Sequence, residues 1–116
     1  MKKILLSMVF MVLIAGACAA NPPKSVDVSV VGKQVKVTVT HIVGGSKTHY
    51  IYKVEVFVNG TQMVWQNLLS QESDQVSVVY LIPSLKAQDV LEVKATCNIF
   101  GDKITKVIVG QKTGSK

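Results

Sequence analysis

Short segments in which apolar and polar residues alternate constrain this chain more than any other feature of its sequence. Residues 26–30 read Val-Asp-Val-Ser-Val, and residues 35–39 read Val-Lys-Val-Thr-Val. Successive side chains of a strand point to opposite faces, so this alternation predicts strands with one buried face. Gly32-Lys33 suits a tight hairpin between the two, and residues 50–58 form another strand candidate that ends at Asn59-Gly60, the strongest short hairpin signal.

The whole pattern predicts about seven strands and almost no helix. The predicted strands are 26–30, 35–40, 50–58, 62–69, 76–82, 90–97 and 104–109. Residues 84–89 are predicted to be a connector with room for one helical turn. Strands at this spacing in a short chain are typical of an all-β, immunoglobulin-like antiparallel β-sandwich. The Cys…Trp…Cys spacing of antibody domains is absent, so the prediction concerns the architecture and not that family.

The N-terminal segment has the layout of a secretory signal peptide. Lys2-Lys3 precede an apolar run, and small residues follow up to Ala20. We therefore predict a leader over residues 1–20 and one domain over residues 21–116, exported to the periplasm or secreted. A lipid anchor on Cys18 is the alternative, and it is less favoured because Ala15 stands where lipoprotein signals usually carry Leu. Membrane association is predicted only if Cys18 is lipidated.

The charge of the chain argues against nucleic acid as a partner. All thirteen basic residues are lysines, and the formal net charge is +6 at pH 7. The lysines are scattered along the predicted strands, and no basic cluster with interleaved aromatic residues is present. A nucleic-acid-binding protein is expected to use arginine for bidentate contacts. The basicity therefore indicates a soluble surface with a weak preference for small anions.

Both histidines and one cysteine are candidate metal ligands. His41 continues the inward row of the second strand, and Cys97 continues the inward row of the sixth. His49 begins the third strand after a loop that contains Gly44-Gly45. Cys97 is the only cysteine outside the leader, so it is either inert or chemically used. Imidazole and thiolate together suit iron, copper or zinc.

These residues also resemble the iron domain of desulfoferrodoxins and superoxide reductases. The matching features are His41, His49-Tyr50-Ile51, the Asn59-Gly60 hairpin, and Cys97-Asn98-Ile99 before Gly101. The resemblance covers roughly residues 35–109. It implies a β-sandwich that holds a mononuclear, non-haem iron through four histidines and an axial cysteine. It also implies that the ferrous form reduces superoxide to hydrogen peroxide by one electron.

The resemblance is incomplete at the ligand set. His41, His49 and Cys97 match three of the five ligands of that family. Phe100 stands where the family has a fourth histidine, and Asn21-Pro22-Pro23 occupy the region of the remaining one. Phe100 is predicted to be a core residue that fills the space of the lost ligand. The alternative is that it forms an apolar wall beside a smaller site.

Two classes of function follow from this pattern. The first is a superoxide-reductase-like metal protein that acts on superoxide or another small molecule and takes electrons from a donor protein. Lys47, in the loop between the histidines, is a weak catalytic candidate because it would attract an anion. The second is a non-catalytic module that binds a partner or carrier protein and resembles the small subunit of sulfur-oxidation carrier complexes. A homo-oligomer is open in both cases.

Overall fold

The computed structural model describes residues 22–111, and seven strands form within this range. They are β1 (Ser25–Val31), β2 (Gln34–Thr40), β3 (Ile51–Val58), β4 (Thr61–Asn67), β5 (Gln75–Leu81), β6 (Val90–Cys97) and β7 (Asp102–Ile108). The seven-strand prediction is confirmed, and each predicted end lies within two residues of the observed one. The predicted leader, including Cys18, lies outside the described residues. Nowhere in residues 22–111 is there a helix long and apolar enough to cross a membrane.

The strands form two antiparallel sheets. One sheet has the order β1-β2-β5 and the other has the order β4-β3-β6-β7. Hairpins connect β1 to β2, β3 to β4 and β6 to β7. The other connections cross between the sheets, which is how an antiparallel β-sandwich closes over one core. The predicted fold class is therefore confirmed.

Alternating side chains from both sheets fill the core. Val35, Val37 and Val39 of β2 are fully buried, and the core continues through β3 and β6. Its members on those two strands are Ile51, Val54, Val56, Val58, Leu91, Val93 and Ala95. The intervening residues face outward and carry most of the polar groups. The inward rows of β2 and β6 lead directly to His41 and Cys97.

The connector between β5 and β6 contains two turns and no helical turn. Leu85 N donates to Ile82 O at 3.1 Å, and Asp89 N donates to Lys86 O at 3.2 Å. Gln88 has a φ of 76°, which a continuing right-handed helix does not permit. The helical turn allowed for residues 84–89 is therefore absent, because the backbone reverses direction instead.

Candidate metal centre

His41 lies where β2 ends and is completely buried. Its backbone N donates to Asp74 O at 2.8 Å, which ties it to the connection between β4 and β5. Its Nδ1 lies 2.9 Å from Oε1 of Gln71 in the same connection. The predicted position at the end of the inward row is confirmed. A buried polar ring requires such hydrogen bonds, since an unsatisfied polar group in a core is costly.

His49 lies in the loop between β2 and β3 and is half-buried. It precedes β3 by two residues and does not begin the strand, because the strand pairing starts where Ile51 faces Cys97. Gly44 and Gly45, with φ values of 60° and 81°, let the loop turn back toward His41. The two imidazole rings lie with their centroids 4.6 Å apart and their planes at 85°.

Cys97 is the last residue of β6, and its side chain is buried. Its backbone N donates to Gly101 O at 2.9 Å, which closes the turn that follows the strand. The Ile99 amide donates to the Cys97 Sγ at 3.3 Å. The Cys97 Sγ in turn lies 4.0 Å from the side-chain oxygen of Asn98. Hydrogen bonds within the turn that follows β6 therefore hold the Cys97 side chain in place.

The three predicted ligands converge on one end of the sandwich. One ligand atom from each of His41, His49 and Cys97 lies within 4.8 Å of the others. A tetrahedral ion with metal–nitrogen bonds of about 2.0 Å and a metal–sulfur bond of about 2.3 Å holds neighbouring donors about 3.5 Å apart. The donors therefore lie at most about 1 Å farther apart than a bound ion would hold them. Two imidazoles and one thiolate therefore fit a transition metal in both chemistry and geometry.

Asp74 fixes the loop that begins after His41. Its Oδ1 accepts hydrogen bonds from Val43 N at 2.9 Å and Gly44 N at 3.2 Å. These two backbone donors, first Val43 and then Gly44, outweigh the effect of burial and hold the pKa of the Asp74 carboxyl below its usual value. The carboxylate therefore stays ionised and anchors the loop whose other end carries His49.

Lys47 and Phe100 lie at the periphery of this arrangement. Lys47 is exposed in the loop between β2 and β3, so its predicted role with anions stays a prediction. Phe100 is 63% exposed in the turn between β6 and β7. The prediction that Phe100 fills the core is wrong, because the turn after Cys97 carries residues 98–100 out of the sandwich.

The sequence did not indicate Gln71 or Asn98 as parts of the centre. Gln71 lies in the connection between β4 and β5, residues 68–74, which has no periodic pattern and none of the three candidate ligands. Asn98 follows Cys97 directly, and its place in the Cys-Asn-Ile run was the one available signal. Both act through hydrogen bonds to residues distant in sequence, which only the folded chain brings together.

Comparisons with known proteins give little beyond the architecture. No family model matches the sequence, and no curated protein matches it either. A superoxide reductase from Nanoarchaeum equitans is a structural neighbour with a TM-score of 0.49 and 15% sequence identity, over 77% of this chain and 92% of that one. Values this low establish neither an activity nor a ligand for this chain.

Proposed function

We propose that this domain binds a single transition-metal ion through His41, His49 and Cys97. The convergence of their ligand atoms within 4.8 Å carries the proposal. His41 and Cys97 are also buried, at 0% and 4% exposure. Burial of a thiol and an imidazole side by side keeps water from competing with an ion and strengthens its electrostatic attraction to the thiolate.

Iron is the ion that the sequence resemblance favours, and one-electron reduction of superoxide is the activity we propose for the loaded site. Ferrous iron held by these residues would supply one electron and become ferric, and superoxide with that electron and two protons would give hydrogen peroxide. An electron-donor protein would have to return the electron. The side chains of this chain hold the ion, and Lys47 at the exposed loop would raise the local concentration of the anion. Export to the periplasm, where superoxide would be met outside the cytoplasm, is part of the same proposal.

The metal proposal is tested by loading the purified protein with ferrous iron under anaerobic conditions and then oxidising it. We expect one ion per chain and a visible thiolate-to-iron charge-transfer band. His41→Ala and Cys97→Ser should each remove the band, because each deletes a ligand. Ser29→Ala, on an exposed position of β1, is the control for the effect of substitution alone. Unchanged metal uptake in both ligand variants would overturn the proposal.

Copper and zinc are tested in the same preparation by competition. Two histidines and one cysteine are a ligand set that copper and zinc also accept. Retention of iron in the presence of both ions would support the iron assignment. Replacement of iron by copper or zinc would support the metal centre, and because both ions normally bind such sites more tightly than ferrous iron, superoxide consumption by the iron-loaded protein then decides the iron assignment.

Activity is tested by superoxide consumption with a chemical reductant present. We expect consumption that depends on loaded iron, and a stronger dependence on ionic strength in the wild type than in Lys47→Met. Phe100→His supplies the histidine that the related family has and should improve iron retention if the site is a reduced version of that centre. Failure of metal uptake would favour the non-catalytic, partner-binding module.

A further inference from the structure

Both polar atoms of the Gln71 side-chain amide, Nε2 and Oε1, make hydrogen bonds at the buried edge of the candidate metal centre. Its Nε2 donates to His41 O at 2.8 Å and to Ser73 O at 2.7 Å. Its Oε1 accepts from the Ile51 amide at 3.0 Å and lies 2.9 Å from the His41 Nδ1. One side chain therefore joins the end of β2 to the start of β3, the two segments that carry the histidines.

These partners leave one orientation for the amide group. The carbonyl oxygens of His41 and Ser73 accept hydrogen bonds only, so the Nε2 of Gln71 must face them. The Ile51 amide only donates, so Oε1 must face it. A flipped amide would set oxygen against two oxygens and N–H against N–H, which excludes that alternative on chemical grounds.

The orientation of Gln71 decides which nitrogen of His41 carries the proton. An amide oxygen accepts hydrogen bonds, so the His41 Nδ1 must donate to it. A neutral imidazole has a single ring proton, and a proton on Nδ1 leaves the lone pair on Nε2. A metal ion binds the neutral ring at the nitrogen with the lone pair.

We infer that Gln71 is a positioning residue that fixes His41 as the Nδ1-protonated tautomer and presents its Nε2 to the metal. The role toward the metal rests on the proposed function. The tautomer of His41 is a property of the metal-free protein and can be measured there. The same side chain holds the backbone at His41 and Ile51, so it sets the direction of the ring as well as its tautomer.

The test is nitrogen-15 NMR of the histidine side chains in the metal-free protein, at a pH where the rings are neutral. His49→Asn assigns the His41 signals by elimination. We expect a protonated Nδ1 and an unprotonated Nε2 for His41. A protonated Nε2 in the wild type would overturn the inference, and this measurement needs no variant of Gln71.

The role of Gln71 itself is tested by two substitutions of similar length. Gln71→Met removes the acceptor, so we expect a larger share of the Nε2-protonated tautomer. Gln71→Glu keeps an oxygen toward the Nδ1, so the Nδ1-protonated tautomer should persist, while its second oxygen against the carbonyl oxygens of His41 and Ser73 should lower the stability of the fold. Gln75→Met, on an exposed position of β5, is the matched control and should change neither. An unchanged tautomer in a folded Gln71→Met protein would overturn the assignment to Gln71.

Metal affinity gives the second readout, with Zn²⁺ alone as the probe in competition with a chromophoric chelator. Loss of an outer hydrogen bond to a ligating histidine typically lowers affinity 10–100-fold, and we expect Gln71→Met to fall in this range. Equal Zn²⁺ affinity in wild type and Gln71→Met would overturn the positioning role. Absence of Zn²⁺, copper and iron binding by the wild type, with the Nδ1 tautomer present, would reject the metal function and not the tautomer.

Discussion

The side-chain oxygen of Asn98 accepts a hydrogen bond from the Tyr50 amide at 2.9 Å. In return, the Asn98 backbone N donates to the Tyr50 carbonyl at 2.9 Å, and its Nδ2 donates to Thr48 O at 3.0 Å. Asn98 follows Cys97, and Tyr50 follows His49. The two residues therefore connect the strand end that carries Cys97 to the loop end that carries His49.

Asn98→Ala removes the side-chain hydrogen bonds to Tyr50 and Thr48 and the contact with the Cys97 Sγ, and it keeps the backbone hydrogen bond. We expect metal affinity to fall 10–100-fold, because the segment of His49 loses its fixed distance from Cys97. The loss of unfolding free energy should be only about 1 kcal/mol for such exposed hydrogen bonds. Equilibrium metal competition and urea unfolding measure the two effects. Asn67→Ala, at the exposed end of β4, is the control, and an equal affinity loss there would contradict the bridging role.

Two features favour glycine at position 101: a left-handed backbone conformation and the close approach of Pro22. A matched substitution at a second glycine can separate them. It has a φ of +88°, and a Cβ added there would lie 2.5 Å from Pro22 Cβ. Gly60 has a φ of +86° with nothing within 4 Å of an added Cβ. Left-handed backbone alone costs an alanine about 1–2 kcal/mol, so Gly60→Ala should lose this amount.

Gly101→Ala should lose more unfolding free energy than Gly60→Ala, because the proline ring must also be displaced. Urea unfolding of the two variants side by side measures the difference. The Gly101 carbonyl accepts from the Cys97 backbone N, so a smaller thiolate-to-metal signal should accompany the shift. Equal losses of stability would show that the contact with Pro22 has no energetic weight.

The Asp89 carboxyl, remote from the candidate metal centre, makes the stability of the fold depend on acid. Its Oδ1 accepts from Asn59 Nδ2 at 3.0 Å, and its Oδ2 accepts from Lys86 N at 3.0 Å. The Asn59 side chain first, and then the Lys86 amide, hold the pKa of the Asp89 carboxyl below its usual value. The unfolded chain binds the proton more readily, so this stabilisation is complete above about pH 4 and is lost as pH falls through the folded-state pKa.

We expect Asp89→Asn to be less stable at neutral pH and to show a flatter decline of stability in acid. Urea midpoints measured from about pH 7 to about pH 2 follow this change, since a single linked carboxyl alters the slope over that window. Asp27→Asn, on an exposed position of β1, is the control. A decline in acid as steep as that of the wild type would contradict the linkage.

The Tyr80 hydroxyl makes the stability of the fold depend on pH in the alkaline range, as Asp89 does in acid. Its hydroxyl donates to Gln66 Oε1 between the sheets, and burial raises the pKa of Tyr80 to about 12. An unfolded tyrosine ionises near pH 10, so the stabilisation is complete below that pH and is lost between about pH 10 and pH 12.

Tyr80→Phe should lose about 1–3 kcal/mol at neutral pH, because Gln66 Oε1 is left without its donor. It should also lose less further stability than the wild type between about pH 10 and pH 12. Urea unfolding gives both values, and the difference in tyrosinate absorbance between the two proteins identifies the Tyr80 titration. A titration near pH 10 for this tyrosine would contradict its burial.

The positions of the strands along the chain could be predicted because the alternation of apolar and polar residues is a local property of each segment. Valines at every second position of β2 and alternating apolar residues in β6 assign one face to the core without any knowledge of partners. The same parity placed His41 and Cys97 at the ends of inward rows, and both are buried there. The Asn59-Gly60 turn, with positive φ at both residues, was likewise a local signal.

Residues in irregular segments were predicted poorly, since no periodicity relates them to the core. Phe100 was expected inside and lies outside, because the turn after β6 and not the apolar character of the ring decides its position. Gln71 has no sequence signal at all: its hydrogen-bond partners His41 and Ile51 lie 30 and 20 residues away.

The sequence by itself determined seven strands, their inward faces and the three candidate metal ligands. Only the tertiary structure decided that His41, His49 and Cys97 lie together, since their approach depends on the pairing of β3 with β6 and on the loop anchored by Asp74. Alternation within a strand follows from the geometry of each residue. Convergence of three strand ends follows from the closure of two sheets over one core, which no single segment encodes.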